Sequence, residues 1–343
     1  MILTERSSSD DKVKHLNICL EKDVESDLTT GFENYLFVNN PVPEIAFEDI
    51  NTSCKLLGKV ISAPLIILPM TGGSDVSFQI NRNLAMAAQE LGLAMAVGSQ
   101  RLGIEDPSLA GSYQVRDIAP DIPLIANLGA IDLNYGYSLK HCEKAVQMIG
   151  ADGLSLYLNP MQKLIQGKGH LNFKGLIDKI AEVCQNLNVP VIVKEIGFGM
   201  SSGSALLFKE AGVSILDVSG AGGTSWVKIM RHMSDNNRQR TFSCFDNWGI
   251  PTSDSLISVR KYVKDLPIIA SGGIRNGLEI AKAIALGANY TGMALPLLAP
   301  AIKSSQAVKE WIEAVIEQIK ISMFCCGVST LDQLTAKDCV VKR

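Results

Sequence analysis

Two glycine-rich runs are the chain's most concentrated candidates for chemistry. Asp217-Val218-Ser219-Gly220-Ala221-Gly222-Gly223-Thr224 and Ser271-Gly272-Gly273-Ile274-Arg275 each close a short apolar segment. Glycine lets backbone N–H groups come close to a phosphate, and Ser219, Thr224 and Arg275 add side-chain donors. One such turn needs no ligand, because glycine serves equally where φ must be positive. Two on neighbouring strands make an anion site the stronger expectation.

Lys194 ends the apolar run Val191-Ile192-Val193, where a buried ammonium needs a partner. Glu195 is adjacent, but consecutive strand residues face opposite ways. A flavin would provide the partner, since a cation beside its pyrimidine end stabilises negative charge on the reduced ring. Thr71, Ser99 and Asn127 could hydrogen-bond around the same ring. Each of them, taken singly, is better read as a cap or a solvated loop residue.

The elements that must position these groups follow a βα rhythm. Apolar, β-branched runs at Leu65–Met70, Ala94–Gly98, Pro123–Leu128, Gly153–Leu158, Val191–Glu195, Ile215–Ser219, Ile268–Ser271 and Tyr290–Ala294 read as strands. Helical periods such as Asn81–Glu90, Lys140–Ile149, Ala205–Ala211, Leu278–Leu286 and Val308–Ile319 lie between or after them. About eight parallel strands with intervening helices predict an α/β fold, a TIM (β/α)8 barrel. The polar residues Thr71, Ser99, Gln100, Arg101, Asn127, Asn159, Lys194, Ser219 and Gly272 fall at or just beyond the strand C-termini. That rim is where barrel active sites are built. Residues 1–60 read as an N-terminal extension or lid contributing to the substrate site, and 61–343 as the barrel. The polar stretch Arg231–Asn247 reads as a long, mobile surface loop.

Composition narrows the function classes. The chain has 343 residues, 47% hydrophobic and 20% charged, enough for a large core. A net charge of -3 leaves no basic footprint for nucleic acid. No apolar run reaches the ~18 residues of a membrane span, and the first residues turn polar too early for a signal peptide, so a cytoplasmic location is expected. The 8 Cys form no CxxC pair and the 4 His no HExxH spacing, so no metal site is expected.

The runs Pro69-Met70-Thr71-Gly72-Gly73, Val97-Gly98-Ser99-Gln100-Arg101, Ala126-Asn127-Leu128-Gly129-Ala130, Val193-Lys194-Glu195-Ile196-Gly197, Trp248-Gly249-Ile250-Pro251-Thr252 and the two glycine turns resemble type 2 isopentenyl diphosphate isomerase. The resemblance extends from Lys12 to about Leu298, in order. It implies a tetrameric or octameric barrel flavoprotein that binds FMN and a prenyl diphosphate. Reduced FMN would serve acid/base rather than net redox chemistry, with NAD(P)H as reductant. FMN would be held by Thr71, Ser99, Asn127, Lys194, Ser219 and Thr224, with Gly273, Arg275, Ala294 and Leu295 near its phosphate. Substrate would meet Lys12, His15, Ser99, Gln100, Arg101, Asn159 and Gln162. Gln162 would lie beside the reacting carbons, so Gln162 and Lys194 are the residues expected nearest the chemistry.

Departures from the family pattern cluster on the substrate side. The family's His-Leu-Asn-x-x-Gln-Glu is Tyr157-Leu158-Asn159-Pro160-Met161-Gln162-Lys163 here, so an amine replaces the carboxylate expected to bind Mg²⁺. Gln166-Gly167-Lys168-Gly169-His170-Leu171 lacks two acids and an Arg, and Ile229-Met230 replaces Ile-Glu. Lys163, with Lys168, could stand in for Mg²⁺ as countercharge to the diphosphate. A paralogue acting on a longer prenyl chain, its pocket softened by Met161, Met200, Met230 and Tyr157, is the alternative. A non-catalytic flavin-binding protein is a third reading.

Overall fold

β-Branched runs with no polar alternation can be buried on both faces, as a parallel sheet inside a layer of helices requires. In the computed structural model, which describes residues 10–167 and 169–343, eight such runs form a closed parallel barrel. Its strands are β1 (Leu65–Ile67), β2 (Ala94–Ala96), β3 (Leu124–Gly129), β4 (Gly153–Tyr157), β5 (Val191–Lys194), β6 (Ile215–Asp217), β7 (Ile268–Ser271) and β8 (Tyr290–Met293). The β8–β1 pairing, with Thr291 opposite Leu65, closes the ring. All eight expected strands are present, in order.

Ile66, Ala94, Ala96, Ile125, Ile192, Ile215 and Ile269 fill the barrel interior. A hairpin of Cys54–Leu56 and Lys59–Ile61 adds Leu56 and Ile61, both almost fully buried, to that cluster. Lys59 ties the hairpin to Asp152 beside β4, 3.0 Å away. The outer helices carry ordinary stop and start signals. Ser74 caps Asp75–Leu91 by accepting from Ser77 N–H, and left-handed Gly92 ends that helix. Among the described residues, no helix is long and apolar enough to cross a membrane.

The Arg231–Asn247 stretch departs from the sequence expectation, being largely helical rather than a loop. The helix Trp226–His232 runs into it, followed by Asn236–Phe242 and a 3-10 turn, Ser243–Phe245. Asp235 caps the second helix by accepting from Arg238 N–H. Arg231 pairs with Asp246 and donates to Gln239 O, while Arg238 donates to Ile165 O. Polar side chains here bond one another and the backbone, and only the scattered Met233, Phe242 and Phe245 pack on a small apolar cluster, so no regular apolar period shows.

Candidate active site

Strand register sets the deepest layer of the rim. Gly129, Tyr157, Lys194 and Asp217 are successive cross-strand partners on β3 to β6. Lys194 is 8% exposed and Asp217 1%. All three ammonium hydrogens have acceptors: Asp217 Oδ2 at 2.8 Å, Ser219 Oγ at 3.2 Å and Ser271 Oγ at 3.2 Å. Asp217 Oδ1 in turn accepts from the Ser271 hydroxyl and from Ser219 N–H. The partner of Lys194 is thus Asp217, which sequence reasoning did not single out. Glu195 faces away and accepts from the N–H groups of Ile196, Gly197 and Phe198. Burial pushes its carboxyl up to about 7 against those three donors and the nearby Lys194 charge. Ser219 has φ 34°, in the left-handed region. Strain of this kind in a non-glycine residue concentrates at functional sites.

Beside this hub, several polar atoms point inward without a partner. Asn127 Oδ1, Ser155 Oγ and Asn159 Oδ1 are buried and accept no hydrogen bond, and Asn127 and Ser155 are paired across β3 and β4. Orphaned buried polar atoms are costly, so a cluster of them fits a polar ligand seated in the mouth. Asn159 Nδ2 donates to Gln162 Oε1 at 2.8 Å, fixing the Gln162 amide over the rim. Gln100 lies elsewhere than expected for a substrate contact. Its Nε2 donates to Ala145 O and its Oε1 accepts from Asn127 N–H, so the fully buried amide supports Asn127 from behind. The Thr71 hydroxyl, in the loop between β1 and the helix Asp75–Leu91, lies 2.7 Å from Ser77 Oγ.

The glycine turns interlock. A Cβ on Gly272, φ +96°, would sit 2.0 Å from Gly220 O, and one on Gly223 would sit 2.4 Å from Gly273 Cα. Thr252 secures the pair by donating to Gly272 O at 2.6 Å. Among the described residues, the N–H groups of Gly273 and Ile274 have no acceptor. Arg275 stands beside them, its guanidinium held by Glu25 at 2.9 Å. Ala294 precedes the helix Leu295–Lys303, so Leu295 N–H lies at a helix N-terminus after β8. This cup suits a phosphate, and the inward amides and ammonium suit a flavin ring. The residues present therefore fit FMN.

A second, cationic rim faces the mouth from the other side. Lys12, on the helix Asp10–Glu21, donates to Ser99 O at 3.0 Å and to Tyr113 Oη at 2.9 Å. Burial and the neighbouring Arg101 push its amine down to about 7. Arg101 is partly exposed, 3.5 Å from Glu105. Lys163 is partly buried, and its amine is lowered by burial and by Arg101, with Asp132 and Glu105 opposing. His15 packs edge-on against Trp226, ring centroids 5.8 Å apart.

Tyr113 and Asp132 were not visible from sequence as site residues. Asp132 is 2% exposed, its Oδ1 lies 3.7 Å from His170 Nδ1, and His170 stacks on Tyr135. Burial raises the Asp132 carboxyl, and Lys163, Arg101 and His170 pull it down. A carboxylate is therefore present near Lys163, but on the turn after β3. Lys168 lies outside the described residues. Met200 and Met230 are each 2% exposed and pack in the hydrophobic clusters.

Similarity to known proteins agrees with this geometry. The FMN-dependent dehydrogenase family model matches residues 147–342. A lactate oxidase of Pediococcus acidilactici shares the fold at a TM-score of 0.69 and 16% identity, covering 97% of this chain and 90% of that one. A flavocytochrome b2 variant does so at 0.68 and 16%, covering 96% and 82%. Barrel, phosphate cup and family model together define an FMN-binding barrel of the FMN-dependent dehydrogenase class.

More specific relatives are the isopentenyl-diphosphate delta-isomerases of Nostoc sp. and Rickettsia africae. The first is 46% identical over 94% of this chain and 93% of its own length. The second is 47% identical over 94% and 95%. The chain belongs to the isopentenyl-diphosphate delta-isomerase family, in its FMN-dependent type 2 form.

Proposed function

We propose that the protein interconverts isopentenyl and dimethylallyl diphosphate, with FMN in the barrel mouth and the diphosphate between Lys12, Arg101 and Lys163. The observation that carries this is the pairing of two arcs of the rim: a phosphate cup after β6 to β8, and orphaned amides with converging cations after β2 to β4. Moving the double bond adds a proton at one end of the allylic unit and removes one from the other, with no net redox change. Reduced FMN, when bound, supplies the acid/base chemistry. Asn127, supported by Gln100, and Lys194, held by Asp217, orient the ring. Gln162, anchored by Asn159, lies beside the reacting carbons. Its amide is no strong acid or base, so its task is alignment. NAD(P)H as reductant, a metal-free diphosphate site, a tetrameric or octameric assembly and a cytoplasmic location complete the proposal.

The test is direct. Protein supplied with excess FMN, passed through gel filtration and reduced, is offered C5, C10, C15 and C20 diphosphates. Retained flavin absorbance and conversion of the C5 substrate are expected. Conversion restricted to longer chains would favour the paralogue. Absence of any conversion with flavin bound would favour a binding protein.

A further inference from the structure

Lys12, Tyr113 and Ser99 form a closed triangle. Lys12 Nζ lies 2.9 Å from Tyr113 Oη and 3.0 Å from Ser99 O, and Tyr113 Oη donates to Ser99 O at 2.9 Å. The three residues come from separate parts of the chain: the N-terminal helix, the 3-10 segment Pro107–Tyr113, and the turn after β2. Tyr113 is fully buried, and its ring is seated by absent side chains. A Cβ on Gly72 would sit 1.9 Å from the ring, one on Gly73 2.8 Å from Leu102 Cδ1 and 3.3 Å from Tyr113 Oη, and one on Gly103 3.1 Å from the ring. The run Thr71-Gly72-Gly73 therefore serves to admit the tyrosine beneath the rim.

An ammonium has three donors. Two are committed inside the triangle, to the tyrosine oxygen and to a carbonyl that is already shared. We propose that Tyr113 is a positioning residue of the diphosphate site, fixing Lys12 at the rim with one N–H left to donate to the substrate. This rests on the assignment of a diphosphate to the Lys12–Arg101 rim. The triangle also joins the N-terminal helix to the barrel at the point where that charge is needed.

The substitution Tyr113→Phe keeps the ring and deletes only the hydroxyl. With FMN-loaded protein and inorganic pyrophosphate, calorimetric titration should show binding weakened about tenfold, a typical loss for a hydrogen bond to a charged group. In a Lys12→Ala background the same change should cost less than about twofold, because the hydroxyl acts through Lys12. The pH profile adds a readout that loss of packing alone would not move. Tyr113 and Arg101 are the polar and charged neighbours of Lys12. Losing the tyrosine oxygen should shift the fall in affinity to lower pH, and Lys12→Arg should remove that component. Binding by Tyr113→Phe within twofold of wild type, or a full penalty persisting on Lys12→Ala, would overturn the proposal. Loss of FMN retention by Tyr113→Phe would also overturn it, by showing a general structural role. Wild-type protein that retains FMN yet ignores pyrophosphate would refute the diphosphate assignment itself, and this inference with it.

Discussion

Lys194 on β5 and Asp217 on β6 are register partners whose charged groups meet at 2.8 Å in a nearly water-free layer of the barrel. The ion pair means that a flavin seated above would face an ammonium already anchored and partly offset in charge. Removing one member of a buried pair typically costs about 3–5 kcal/mol, because the other charge stays behind. Lys194→Met should therefore lower stability by about that much in urea unfolding. Adding Asp217→Asn should recover a substantial part of the loss. Neither variant should retain FMN as wild type does, which separates the structural from the cofactor role.

The Lys12 amine gives the site a pH signature. Its pKa in the free site is pushed down to about 7 by burial and Arg101, and a bound diphosphate would raise it. Binding then takes up a proton. This contribution to affinity is complete below pH 7 and declines as pH rises above it. Because the ligand titrates too, the useful quantity is the difference between wild type and Lys12→Arg, which stays charged throughout. That difference should grow above pH 7 in favour of the arginine variant.

Lys163 should make diphosphate binding independent of metal. Pyrophosphate titrations of reduced holoenzyme in EDTA should match those without chelator. Lys163→Ala should bind about tenfold more weakly, and Lys163→Glu more weakly still unless Mg²⁺ is supplied. Loss of wild-type binding in EDTA, or unchanged binding by Lys163→Ala, would contradict this.

The interlocked turns predict a localised lesion. Gly272→Ala places a methyl 2.0 Å from Gly220 O at φ +96°, so the two turns must separate. Flavin retention should be lost, with a stability cost of about 1–3 kcal/mol, as read by gel filtration and thermal unfolding.

The barrel was legible because eight buried strands need β-branched runs, and turns such as Gly220–Gly223 mark where those strands end. What sequence could not show was side-chain partnership set by register and by packing between distant segments. Asp217 is the partner of Lys194 only because β5 and β6 align at those residues. Tyr113 reaches Lys12 across 101 positions, through space cleared by glycines. Gln100 was legible as a rim residue, but its direction was not. The polar segment Arg231–Asn247 concealed helices tied by Arg231, Arg238 and Asp246 and anchored by the widely spaced Met233, Phe242 and Phe245 on a small apolar cluster.

The central claim is isomerisation of a C5 diphosphate by this chain with reduced FMN. It is tested most directly by incubating reduced holoenzyme with isopentenyl diphosphate in D₂O and following the products by mass spectrometry. Dimethylallyl diphosphate carrying deuterium, formed without net oxidation of the flavin, is the predicted result. Unchanged, unlabelled substrate from protein that demonstrably holds reduced FMN would contradict the account.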